Sequence, residues 1–415
     1  MSTRLRDRVA RRATMALLQR MDHGRLTVAE GARTATFGPG EAELAARAEV
    51  LDQSAWLQLA RGSKGLGEAY ADRLWDSDEL VELVRIAVRN LGAFDRLRRR
   101  WHPLLGPLKR LAGLVPRNTR SGARTHIAAH YDLGNELFAA FLDERLVYSS
   151  AWFERDDMSL DEAQVAKLDR ICTQLRLDPG DHLLEIGTGW GGLAIHAAGE
   201  YGSRVTTTTI SREQRAFALE RVAELGLADR VTVLDRDYRD LDGRFDKLVS
   251  VEMIEAVGWQ YFETFFRVCS ERLESHGLML LQAIVIDDDL YEAEKASRTF
   301  ANTHIFPGGC LPSERLISDL VARETDMRRA WSDEITEHYA LTLKLWRERF
   351  NAAVPRLEPA GYDRRFQRLW NFYLGSSEAG FRERRIRNLQ LLFAKPEATI
   401  DPIADAAEPA EVRAT

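Results

Sequence analysis

Three cysteines in 415 residues, Cys172, Cys269 and Cys310, are odd in number and far apart. That excludes a disulfide framework and leaves no clustered metal-ligand motif, so no metal is expected and a reducing cytoplasm fits. Long apolar runs are missing as well. No stretch approaches the roughly 18 to 20 uncharged apolar residues that span a bilayer. The N-terminus carries no signal-peptide apolar core, so membrane contact is expected to be peripheral. Nor is there a surplus of positive charge: a net charge of −6 speaks against a general nucleic-acid binder. No internal repeat is visible.

What is present is ordinary for a globular protein, with 45% hydrophobic and 29% charged residues. The length suggests one large domain and a smaller one. Residues 1 to about 110 read as helical, without a strong alternating strand. Leu80, Leu83, Val84 and Ala87 share one helical face there. Basic residues cluster at Arg4, Arg6, Arg8, Arg11 and Arg12, and again from Arg96 to Arg124. The stretch from Val115 to Arg124 is rich in helix breakers and reads as a link.

Beyond residue 125 the character changes. Ser159 and Glu162 form a capping box, each able to satisfy the other's backbone N–H. Val165, Leu168, Ile171 and Leu175 follow on one face, and Pro179-Gly180 stops the helix. Short apolar runs then recur at residues 183–186, 204–209, 231–234, 245–251 and 278–286, with helical patterns between them. That alternation predicts an α/β fold, a parallel sheet wound with helices. Residues 287–330 interrupt it as an inserted lid. The expected organisation is a helical N-terminal domain over 1–118, a second domain over 119–395, and a loose tail over 396–415.

The sharpest local signal is Leu184-Glu185-Ile186-Gly187-Thr188-Gly189-Trp190-Gly191-Gly192, after the first predicted strand and opening a helix. Glycines there let the backbone turn sharply and approach a ligand at the carboxyl edge of the sheet. An acidic residue two before the first glycine resembles methyltransferase motif I more than a dinucleotide fingerprint. No Gly-Lys-Ser/Thr follows, which disfavours a nucleotide phosphate loop. From this turn alone, methyltransferase, NAD-binding and structural readings stay open. Asp246, opening the fourth run, is compatible with a cofactor role or with a solvated strand end.

Several ordered stretches narrow the choice: residues 130–135, 148–152, 187–192, 209–214, 237–240, 249–258 and 305–312, with a weaker match at 65–70. Together they resemble the cyclopropane fatty acid synthase and mycolic acid methyltransferase family, over about residues 125–395. The resemblance implies a Rossmann-like S-adenosylmethionine (SAM) methyltransferase that acts on unsaturated acyl chains of membrane phospholipids. It implies cofactor contacts from Tyr148 and Ser149, from Glu185, Gly187, Thr188, Gly189 and Gly191, from Thr209, Ile210 and Gln214, and from Tyr238 and Arg239. Gln214 would hold the ribose.

Adding a methyl cation to a cis double bond leaves a carbocation that must be sheltered from water and lose a proton. Aromatic faces stabilise such charge, which makes Trp152, Trp190 and Tyr339 wall candidates beside their packing roles. The resemblance implies bicarbonate as the bound base, held here by Glu255, the Ile284 backbone and Tyr339, with Ser150 in place of a cysteine and Gln282 in place of a histidine. Ala256 and Ser377 are further departures, and with no thiol at any of these positions a cysteine nucleophile is excluded. Glu255 is the first choice for the key carboxylate. His304, in the lid, is expected to be structural. The resulting function is cyclopropane formation. The pattern around Glu252, Met253 and Gln282 also resembles an actinobacterial branch that ends, after a hydride shift, in a methylene-branched chain for a separate reductase.

The enzyme is expected at the inner face of the membrane. Arg96 to Arg110 mixes basic, aromatic and apolar residues as an interfacial anchor does, and as a solvated linker also can. Replacing Arg98, Arg99 and Arg100 by glutamate would then weaken binding to anionic vesicles. A homodimer through the N-terminal helices is a family-level expectation. Two competing readings are a small-molecule methyltransferase and an inactive lipid-binding relative.

Overall fold

The computed structural model describes residues 3–92, 133–295 and 297–399. The basic-aromatic run at Arg96–Arg110, the link after Val115, the start of the 130–135 motif and the tail beyond residue 399 lie outside the described residues. The chain forms two compact units, and no single cut separates them: segments 1–115, 292–305 and 343–385 make the first, and 116–291, 306–342 and 386–415 the second.

The first unit corrects the all-helical expectation for the N-terminal region. Strands β1 (Arg25–Glu30), β2 (Arg33–Phe37), β3 (Ala45–Val50) and β4 (Trp75–Asp76) form a sheet in the order β2-β1-β3-β4. β1 alternates outward Arg25 with inward Leu26 and Val28, whereas β2 is largely exposed and leaves little apolar signal. Glutamate 383 accepts from Arg85 Nε at 2.7 Å and Arg89 Nε at 2.6 Å, tying the helix Leu80–Arg89 to a residue almost 300 positions later. The 65–70 motif has a packing explanation here. A Cβ at Gly67 would lie 2.3 Å from Phe300, and His304 Nε2 is 3.0 Å from Glu68 Oε1.

The second unit carries a seven-stranded sheet in the order β10-β11-β9-β8-β5-β6-β7: β5 (His182–Ile186), β6 (Arg204–Thr209), β7 (Val231–Asp235), β8 (Phe245–Val251), β9 (Leu273–Ile286), β10 (Arg328–Glu334) and β11 (Ile386–Ala394). β5 to β9 run parallel, whereas β11 is antiparallel to β9 and β10 to β11. Successive strand residues feed opposite cores, Leu184 and Ile186 on one face and Leu183 and Val205 on the other. Both faces are covered, which is why these strands read as continuous apolar runs. From β5 the chain winds outward through β6 and β7, then returns to β8 on the other side. The carboxyl ends of β5 and β8 therefore flank the point where strand order reverses, where such sheets bind ligands.

Candidate active site

The glycine turn leaves β5 at this reversal point. Gly187, Gly189 and Gly191 have φ of 107°, 53° and 89°, the left-handed region that glycine tolerates. A Cβ at Gly187 would press on Met253 at 3.1 Å, whereas one at Gly189 would meet nothing within 4 Å. The turn is pinned from beneath: Gly187 N and Thr188 N both donate to Thr208 O, at 3.0 and 3.2 Å. Glu185 is buried and accepts from Thr207 Oγ1 at 2.5 Å; burial pushes its carboxyl up to about 8. Thr188 Oγ1 lies 2.7 Å from Thr207 Oγ1.

The other expected cofactor residues surround the same sheet edge. Thr209 Oγ1 donates to Gln214 Oε1 at 3.1 Å, which fixes the amide, and Ile210 is half-buried beside them. Asp237 accepts from Arg239 Nε at 2.7 Å and Nη2 at 2.6 Å. The Tyr238 hydroxyl is buried without a hydrogen-bond partner among the described residues. Tyr148 packs edge-on to Phe138 at 5.4 Å, and Phe138 packs on Trp190 at 4.7 Å. Ser149 Oγ accepts from Lys167 Nζ at 2.8 Å, and desolvation lowers that amine to about 8.

At the end of β8 two carboxylates, Glu252 and the expected Glu255, have different sets of donors. Glu252 gathers most of them. Its Oε1 accepts from Ser150 N at 3.0 Å, Gln282 Nε2 at 2.8 Å and Asn388 Nδ2 at 2.7 Å. Its Oε2 accepts from Tyr339 Oη at 2.6 Å. Glu255 Oε1 takes Ile284 N at 2.5 Å, while its Oε2 is buried without a partner among the described residues. Desolvation, then the nearby Glu252 charge, pushes Glu255 up to about 8, so it is largely protonated at neutral pH. Glu252 is raised from the ordinary range by its enclosure and held back by its hydrogen bonds, Tyr339 first. The 305–312 motif adjoins this turn, with Cys310 N donating to Glu255 O at 2.8 Å.

A relay of side chains orients the cluster. Arg170 Nε donates to Gln390 Oε1 at 2.8 Å, Gln390 Nε2 to Gln282 Oε1 at 3.0 Å, and Gln282 Nε2 to Glu252. Each amide has its polarity set by the one before it. Arg170 lies 3.8 Å over the Trp152 ring and pairs with Asp333. Trp152 also packs at a tilt against His338, whose Nδ1 accepts from Phe153 N at 3.1 Å; burial and Arg170 lower His338 to about 4, so it is neutral. Sequence reasoning passed over Glu252 as a base and missed Lys167, Arg170, Asn388 and Gln390.

The family profile described as mycolic acid cyclopropane synthetase matches residues 118–391. The chain belongs to this family. It is 40% identical over 333 residues to tuberculostearic acid methyltransferase UfaA1 of Mycobacterium tuberculosis, covering 77% of this chain and 76% of that one. It is 38% identical over 341 residues to the cyclopropane-fatty-acyl-phospholipid synthase of Escherichia coli K12, covering 81% and 84%. A crystal structure of mycolic acid cyclopropane synthase CmaA1 complexed with SAH and CTAB superposes with a TM-score of 0.62 at 31% identity, over 66% of this chain and 98% of that chain.

The family member described here is a SAM-dependent methyltransferase, and SAM is its cofactor. The residues present suit that group: a glycine cradle with open space at Gly189 and an orphaned hydroxyl at Tyr238. Bicarbonate does not suit the residues present. Ser150 N, Gln282 Nε2 and Tyr339 Oη, its implied donors, hold Glu252, and Ile284 N holds Glu255.

Proposed function

We propose that the enzyme methylates the cis double bond of an unsaturated acyl chain in membrane phospholipid and ends in a methylene-branched chain, for later reduction by a separate enzyme. The observation that carries this reading is the carboxylate cluster at Glu252, at the reversal point of the sheet and next to the glycine turn. Met253, the following residue, would touch a Cβ placed at Gly187. SAM supplies an electrophilic methyl group when bound. The chain's residues then have three tasks: to hold the cofactor at the glycine turn, to keep water from the cation, and to accept one proton. Tyr148, Phe138, Phe141 and Trp190 form an apolar aromatic wall in the same unit. Its ring faces tolerate positive charge. Roles for Tyr148, Ser149, Thr209, Ile210, Gln214, Tyr238 and Arg239 in holding SAM belong to this proposal.

Support for the methylene product comes from Glu252 and Gln282, the residues of the branch pattern, which meet in the cluster. The 40% identical relative is named for tuberculostearic acid. The second reading is the cyclopropane, favoured by the similarly related synthase that covers more of the chain. Either product needs one proton removed. Expression in a bacterium lacking such enzymes, with fatty acids analysed by mass spectrometry and double-bond mapping, decides between them. A methylene branch supports the first reading, a ring the second, and unmodified acyl chains reject both.

Access to the lipid is proposed to be peripheral, since no described helix is long and apolar enough to cross a membrane. The helix Thr3–Leu18 exposes Leu5, Val9 and Leu17 between the exposed Arg6, Arg8 and Arg12. Apolar residues beside arginines on one surface suit an anionic lipid interface. Replacing Leu5, Val9 and Leu17 together by glutamate is expected to cut co-sedimentation with anionic vesicles several-fold; unchanged co-sedimentation would reject this contact.

A further inference from the structure

Methylating a neutral alkene adds one positive charge to the lipid, so a neutral product requires one proton to leave. The site must therefore contain an acceptor within reach of the transferred methyl group. Of the titratable groups in the cluster, most are already committed. Glu255 is held by Ile284 N and Glu185 by Thr207 Oγ1. His338 Nδ1 is occupied by Phe153 N, Tyr339 donates to Glu252, and Lys167 donates to Ser149.

Glu252 differs from all of these. Four donors converge on its carboxylate, three of them on Oε1 and Tyr339 on Oε2, which leaves Oε2 with lone-pair capacity. Burial raises this carboxyl from its ordinary range, and charge-assisted hydrogen bonds of this kind oppose that by favouring the ionised form. The backbone gives a second, independent sign. Glu252 has φ of 49°, a left-handed conformation that favours glycine and disfavours a branched or long side chain. Strain of this kind clusters at active sites, although Arg73, Leu146, Arg176 and Arg384 share the conformation elsewhere. The third sign is substitution of one anion for another: the donors suited to a dissolved anion already hold this protein carboxylate.

We propose that Glu252 is the catalytic base, a carboxylate built into the chain that makes the reaction independent of bicarbonate. This rests on the methyl-transfer reading above. In the step, a C–H bond of the transferred methyl group breaks and its electron pair forms the new carbon–carbon bond. That bond closes a ring onto the cationic carbon, or becomes the second bond of a methylene after a hydride shift. The proton passes to Glu252 Oε2, and the neutral acid returns it to water before the next turnover. Gln282 and Asn388 hold the other oxygen, with Gln282 oriented through Gln390 and Arg170.

The test uses the full-length protein with SAM and unsaturated phospholipid vesicles in carbon-dioxide-depleted buffer. Wild-type turnover should change less than about twofold when bicarbonate is added. E252Q keeps the shape and removes the base; its turnover should fall about 100-fold or more, the scale of general-base catalysis, and stay low with bicarbonate. E252G suits the local backbone and vacates the anion position, so its turnover should fall and then recover at least about tenfold with bicarbonate or formate. SAM affinity by calorimetry, unchanged in both variants, shows that they are folded. Labelled bicarbonate followed by carbon-13 NMR should bind E252G and not the wild type. Wild-type turnover that requires bicarbonate, E252Q retaining more than about a tenth of the rate, or bicarbonate bound by the wild type would each overturn the proposal. If the wild type modifies no lipid, the methyl-transfer reading fails, and bicarbonate binding still decides what occupies the anion position.

Discussion

Glu252 and Glu255 lie three residues apart, in surroundings that differ in how many donors reach each carboxyl. Among the described residues Glu252 has four donors and Glu255 one, and the second oxygen of Glu255 is buried without a partner. A raised carboxyl pKa has a definite sign for stability. Glu255 is protonated in both folded and unfolded chains below about 4.5, so its contribution is fully present there; it is lost as pH rises through the folded value of about 8. Glu255→Gln should therefore gain over wild type as pH goes from 6 to 9. The melting-temperature gap is expected to widen by about 3 °C for each kcal/mol recovered, read by calorimetry at several pH values. A gap that stays constant would mean that Glu255 is ionised throughout. The motif containing both glutamates was legible in the sequence. Which of them gathers donors was not, because that depends on β9 and β11 bringing Gln282 and Asn388 alongside β8. The left-handed backbone at residue 252 leaves no trace in residue type either.

Among the elements, the helix Leu160–Gln174 shows how a local signal supports a distant site. Its Ser159–Glu162 capping box forms as the spacing predicts, and the same helix carries Lys167 to Ser149 and Arg170 to Gln390. Ser159→Ala is expected to lower stability by about 1 kcal/mol, the usual value of such a cap, with kcat nearly unchanged. A stability loss without any change in activity would confirm that the cap only holds the helix; a large loss of kcat would show that the helix start shapes the site. The strands β5 to β9 were readable because a sheet covered on both faces needs uninterrupted apolar runs. β1 to β4 were not. β2, Arg33-Thr-Ala-Thr-Phe37, has no fully buried residue, and β4 is two residues long. Such strands exist through pairing with β1 and β3, which no short window of sequence reveals. β10 begins inside the predicted lid and β11 returns antiparallel to β9 from more than 90 residues later, a pairing that no alternation of strands and helices signals.

For the whole molecule, the first compact unit is assembled from three stretches of chain. Packing of Leu80 and Val81 near Gly375, with the Glu383 bridge to Arg85 and Arg89, belongs to that unit. A fragment ending at residue 118, the boundary expected from composition, lacks those partners. It is expected to be poorly soluble or to lack near-ultraviolet circular dichroism, and a sharp, cooperative melting transition in that fragment would refute this. The family similarity from residue 118 onward does not report on this arrangement, because it follows chain order while packing does not.

The interleaving has a consequence for how the protein is made. After residue 92 leaves the ribosome, about 290 more residues must be synthesised before segment 343–385 is complete. At cellular elongation rates of about 5–20 residues per second, that is a wait of roughly 15–60 s. Throughout it, the part of the helix Leu80–Arg89 that packs near Gly375 has nothing to cover it but a chaperone or the nascent chain itself. Yield in a foreign host should therefore track the supply of holdases more closely than the stability of the finished enzyme.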